Sequence, residues 1–99
     1  MARFGVYKNP DGEGYLLDVQ ADLLSHFNTR VVIPLLPLSQ APAPAKTLNP
    51  VFDVTGTAHV MVTQFLAAVP ESLLKTCLSS QDHRRDEIIA ALDLLFQGF

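Results

Sequence analysis

At 99 residues the chain has the length of one domain, and its 48% hydrophobic and 17% charged residues exclude a disordered polymer. Seven Lys and Arg against ten Asp and Glu leave a net charge of −3, which argues against a protein that grips nucleic acid through a basic face. The one adjacent basic pair, Arg84-Arg85, is flanked by Asp82, Asp86 and Glu87, and the low charge leaves apolar surface to spare, a hint of oligomerisation.

The opening residues Met1-Ala2-Arg3-Phe4-Gly5 lack the apolar run of a signal peptide, and no stretch approaches the ~20 apolar residues of a membrane span. The cytosol is the expected location. Residues 3–8 read as a short strand, with Phe4 and Val6 on one face and Tyr7 on the other. Residues 9–14 (Asn-Pro-Asp-Gly-Glu-Gly) are dense in turn formers, and residues 15–20 read as the returning strand of a hairpin. Residues 21–28 form a connector carrying Leu23 and Leu24.

Residues 29–35 make the clearest strand. They are β-branched and almost continuously apolar, the pattern of a strand buried on both faces. Pro34 has no N–H to give a ladder, so an edge or a strand end is expected there. Residues 36–50 hold four of the seven prolines and predict an irregular surface loop. Residues 51–54 and 58–63 flank Thr55-Gly56-Thr57 as a second hairpin, with residues 64–69 expected to extend its second strand up to Pro70. Residues 73–78 fit either a short strand or a helical turn.

The last segment predicts a helix. Ser79 or Ser80 can cap it, Ser79 and Asp82 having capping-box spacing. Asp82, Asp86 and Glu87 lie in the early turns, where the helix dipole favours negative charge. Ile88, Ile89, Leu92, Leu95 and Phe96 share about 100° of arc as one apolar stripe. Gly98 ends the helix. Strands followed by a helix, without internal repeats, predict a mainly β or α+β single domain over residues 1–99.

Few residues suit catalysis. His26, His59 and His83 are scattered without metal-ligand spacing, and there is no phosphate loop and no Gly-x-Ser-x-Gly. No cofactor or metal is expected. The lone Cys77 excludes an internal disulfide and fits a reducing compartment. Its apolar neighbours Leu73, Leu74 and Leu78 favour a buried, inert thiol over a nucleophile. Asp18 and Asp22 could do acid–base work, but turn hydrogen bonding is the preferred reading. Arg30 could stabilise an anion or, as preferred here, pair structurally with Asp18 or Asp22. Residues 96–99 (Phe-Gln-Gly-Phe) pass beyond what one domain covers and put aromatic anchors on a tip, as recognition requires.

Several segments together resemble the CcdB toxins in order and spacing. They are Phe4-Gly5-Val6-Tyr7, Asp18-Val19-Gln20-Ala21-Asp22-Leu23-Leu24, Arg30-Val31-Val32-Ile33-Pro34-Leu35, Ala68-Val69-Pro70, and His83-Arg84 through Phe96-Gln97-Gly98-Phe99. The resemblance spans essentially the whole chain. It implies a twisted antiparallel sheet in a small barrel-like arrangement, a second small sheet, a C-terminal α-helix and a two-fold homodimer. It also implies a non-catalytic toxin of a type II toxin–antitoxin system, active in plasmid maintenance and in transcriptional autoregulation. Such a toxin binds the A subunit of DNA gyrase, traps its cleavage complex with DNA, and is neutralised by a CcdA-type antitoxin. Neither direct nucleic-acid binding nor a membrane is expected.

By the same resemblance, the family's paired aliphatics fall on Leu23 and Leu24, and its polar helix-face residue, often asparagine, on Asp93. The phenylalanine before the tail falls on Phe96, the tail glycine on Gly98 and the terminal aliphatic on Phe99. The tail tryptophan position holds Gln97, which cannot stack on an arginine as an indole does. Gyrase poisoning would then be weaker, or would rely on Phe99. Two other readings stay open: an endoribonuclease of the MazF/Kid type, which shares this fold, and a decayed toxin that only binds antitoxin.

Overall fold

A computed structural model describes residues 3–98. The chain folds as a mostly antiparallel sheet curled into a half-barrel, with one helix at its C-terminal end. The first hairpin joins β1 (Gly5–Lys8) to β2 (Tyr15–Asp18), with Val6 opposite Leu17. Its loop is closed by the Asn9 side chain, whose Oδ1 accepts the Asp11 N–H at 3.0 Å. Gly14 adopts φ +83°, and a Cβ there would run into the Leu35 carbonyl oxygen on β3 (Thr29–Pro37). Gly14→Ala is therefore expected to cost about 1–3 kcal/mol, read as a lowered urea midpoint.

β3 is the spine of the sheet. It pairs with β2 along one side, Leu17 opposite Ile33. Along the other side its first half pairs with β6 (Ala67–Pro70) and its last residues with β5 (Thr57–Met61). Pro34 lies mid-strand, not at an edge or end as its missing N–H had suggested. It sits in the gap between those two ladders, where its carbonyl accepts the Val62 N–H at 3.0 Å and no partner needs a donor. The second hairpin, β4 (Val51–Val54) to β5, turns at Thr55 and Gly56. Both have positive φ, 53° and 84°, as a two-residue turn matched to sheet twist requires. The expected second small sheet is not separate: this hairpin continues the same seven-stranded sheet through the end of β3.

Two elements depart from the sequence expectations. Residues 64–69 do not prolong β5. A 3-10 turn at Thr63–Phe65 breaks the strand and sends β6 back along β3. Residues 73–78 divide between a 3-10 turn at Glu71–Leu73 and the start of β7 (Cys77–Ser80), which pairs with β1. Cys77 is exposed on that strand, not buried as its apolar neighbours had suggested, because β7 is an edge and its outer faces meet solvent.

Neither Ser79 nor Ser80 caps the helix as expected: a 3-10 turn at Asp82–Arg84 intervenes, and the N-cap of α1 (Arg85–Gln97) is Arg84, without a side-chain cap bond. Ser80 Oγ instead accepts the Asp82 N–H at 3.1 Å ahead of that turn. Gly98 stops the helix at φ +82°, its N–H returning to the Leu94 carbonyl at 3.0 Å. Ile88 and Ala91 of α1 are buried with Phe4, Val6, Leu17, Ile33, Leu35, Phe52 and Met61, so the main core lies between helix and sheet. Tyr7, Leu16, Val32 and Leu74 form a smaller cluster on the opposite face. β1 and β3 therefore bury alternate residues on both sides, as the apolar run of residues 29–35 predicted for β3.

Candidate functional site

The site grows from the junction of β2 and β3. Arg30 donates from Nε (3.0 Å) and Nη2 (2.6 Å) to Oδ2 of Asp18, and both side chains are fully buried. Arg30 thus pairs with Asp18 rather than Asp22. Burial raises the Asp18 carboxyl above the usual carboxylate range, while the hydrogen bonds from Arg30 and the Gln20 N–H pull it back down. Arg30 Nη1 is buried without a partner among the described residues. Asp18 Oδ1 accepts the Gln20 N–H at 3.1 Å, the turn bond preferred from the sequence, whereas the exposed Asp22 accepts the distant Arg3 N–H at 2.8 Å and makes no such turn bond among the described residues.

Beyond Asp18 the chain leaves the sheet. A 3-10 turn at Asp22–Leu24 projects from it and buries none of its own residues. Leu23 is 86% exposed and Leu24 41%. Phe96, on the last turn of α1, is 69% exposed, although its stripe-mate Ile88 is fully buried. The helix thus carries one apolar stripe from the core out into solvent.

Leu24 and Phe96 meet across a groove of about 350 Å³ lined also by Val19, Gln20, Ala21, Val31, Leu66 and Leu92. Leu23 stands beside it without lining it. Asp93 and Gln97 are exposed on α1 outside the lining, and Gly98 is the exposed left-handed cap. Phe99 lies outside the described residues. The structure therefore unites two of the seven residues singled out from the sequence in one groove. Leu92 had been assigned to the helix stripe, and Val19 and Val31 to strands. Leu66 carried no signal, because the segment holding it read as plain strand.

Nothing lining this groove is an acid, a base or a nucleophile. The histidines lie elsewhere. His26 stacks on Phe27 with ring centroids 4.2 Å apart, beside a larger hollow of about 750 Å³ that also includes Glu71 and Ser72. His59 is buried, its Nδ1 2.8 Å from the Thr57 carbonyl and its ring edge-on to Tyr15. Among the described residues no three His, Cys, Asp or Glu side chains gather as metal ligands. An uncharged groove with an exposed aromatic on one lip and an exposed leucine pair on the other can dock a partner. Compared with family models, the sequence matches the one described as CcdB protein, over residues 3–98.

Proposed function

Because the chain belongs to the CcdB family, and is thereby a toxin of a toxin–antitoxin system, we propose that it poisons DNA gyrase without itself catalysing a reaction. It binds the A subunit of gyrase through the face carrying Leu23, Leu24 and Phe96 and holds the enzyme in its cleavage complex with DNA. The single observation behind this reading is the groove: two hydrophobic anchors from separate elements face an apolar cleft that carries no titratable side chain. Poisoning by docking needs buried contact area and anchors, not a tuned acid or base.

The tail adapts to Gln97. Phe96 supplies the aromatic surface that an indole supplies in the resembling toxins, and Asp93 and Gln97 form a polar rim beside it. The protein acts as a homodimer. The exposed Leu23, Phe27, Phe65 and Phe96 provide more apolar surface than a small monomer usually leaves bare. A CcdA-type antitoxin with a disordered, folding segment competes for the same face, which suits a groove able to take a short apolar helix. Gyrase places the toxin in the cytoplasm, and no helix among the described residues is long and apolar enough to cross a membrane.

The test uses purified gyrase, supercoiled plasmid and ATP. Micromolar protein is expected to accumulate linear DNA covalently attached to the A subunit. If the plasmid shows no protein-linked breaks, the reading is wrong. Cleavage of a defined RNA by the same preparation would assign the protein to the endoribonucleases instead.

A further inference from the structure

We propose that Gln20 is the positioning residue of the docking face, tying the turn that presents Leu23 and Leu24 to the buried Asp18–Arg30 pair. This rests on the reading of that turn as part of the face. The turn at Asp22–Leu24 needs such a tie. It buries none of its residues, and residues 21–29 are all exposed, so packing does not fix its position. A single 3-10 turn has weak internal hydrogen bonding.

Gln20 uses every polar group it has. Its side-chain Nε2 donates to the Leu24 carbonyl at 3.0 Å, and Oε1 accepts the Val31 N–H of β3 at 3.1 Å. Its own N–H donates to Oδ1 of Asp18 at 3.1 Å, and its carbonyl lies 3.5 Å from Arg30 Nη2. One side chain thus bridges the spine of the sheet and the far end of the turn, while a buried ion pair holds its backbone. The Arg3 N–H, bonded to Asp22 Oδ1, steadies the near end. A turn held this way arrives at a partner already ordered, so less conformational freedom is lost on binding.

Gln20→Glu tests the tie, and because Gln20 also lines the groove, hydrogen exchange in the free protein separates the tether from a direct contact with the partner. The introduced carboxylate can still accept from the Val31 N–H, but at neutral pH it has no proton for the Leu24 carbonyl and repels it. Hydrogen exchange is expected to quicken about tenfold at the Leu24, Ser25 and Phe27 amides, which bond to the carbonyls of Ala21, Asp22 and Leu24. Val31 should keep its protection, which certifies the fold. Affinity for the purified gyrase A subunit should fall about tenfold with it.

Lowering the pH protonates the introduced carboxyl and restores a donor, so protection of the turn should return towards that of the natural protein at the same pH. Asp18, Arg30, Asp22 and Arg3 surround the position in both proteins, so that comparison cancels their own titration. Unchanged exchange at Leu24 and Ser25 would overturn the inference. Faster exchange with undiminished gyrase binding would uphold the tether and overturn the placement of the turn in the docking face.

Discussion

Arg30→Met is expected to lower the unfolding free energy at pH 7 by about 3–5 kcal/mol, the cost of leaving a buried carboxylate without its partner. Asp18 and Arg30 are both fully buried and joined by two hydrogen bonds to one oxygen, so no water replaces the guanidinium when it is removed. The pH dependence carries a definite sign. Burial raises the carboxyl of Asp18 in the folded chain above its unfolded value, so folding favours the protonated form. The stability this group contributes is fully present below the unfolded value and is lost as pH rises through the folded one. Arg30 limits that loss.

Without Arg30 the folded value climbs further and the loss at neutral pH deepens. The variant should therefore regain more stability than the natural protein when the pH falls from 7 to about 5. Urea unfolding of both proteins at the two pH values measures this. Equal midpoints at pH 7 would show that the pair contributes little. Asp18→Leu combined with Arg30→Met should recover most of the loss, because an apolar pair of similar volume carries no desolvation penalty. A residue of about 1 kcal/mol should remain, since the Gln20 N–H loses its acceptor.

The second large effect falls on binding and spares the fold. Phe96→Ala and Leu23→Asp should each weaken association with the gyrase A subunit by about 2 kcal/mol or more, roughly thirtyfold. Their unfolding midpoints should barely move, because side chains this exposed contribute little to the core and such surface changes usually stay within about 0.5 kcal/mol. His59→Ala should behave in the opposite way. It removes a buried ring bonded to the Thr57 carbonyl and packed on Tyr15, yet leaves the groove intact. Titration calorimetry paired with urea unfolding separates the two patterns. Equal loss of gyrase binding in the His59 variant would move the site away from Leu23 and Phe96.

Much of this fold can be read from local chemistry. The glycine-rich turns, the β-branched run of β3 and the helix stripe each encode their element through neighbouring residues, and the Arg30–Asp18 pair follows from two opposite charges at adjoining strand ends. What could not be read depends on pairing at a distance. No property of residues 67–70 says that they return to β3 once Thr63–Phe65 breaks the strand. Pro34 is tolerated mid-strand only because two ladders leave a gap beside it, and Cys77 is exposed only because β7 ends the sheet. Ala91 is buried in the core, but an alanine adds little to a stripe drawn by large residues. In the groove, Leu24 came from the family resemblance, and Phe96 from the helix stripe and the aromatic tip as well. Leu66 came only from the fold, since its partners lie on other elements.

The order of assembly has a consequence for how the protein is made. β1 precedes every other strand in chain order, but one of its two neighbours, β7, spans Cys77–Ser80, and the helix that seals the main core follows at Arg85–Gln97. A nascent chain can form both hairpins early, yet it cannot close its core until Ile88 and Ala91 have emerged. Contacts that span so much of the chain also favour slow folding. The groove is lined by Leu24 from one side and Phe96 from the other, so a chain that stops before Phe96 has no complete groove. The order of synthesis therefore sets when the groove between β2, β3 and α1 is complete.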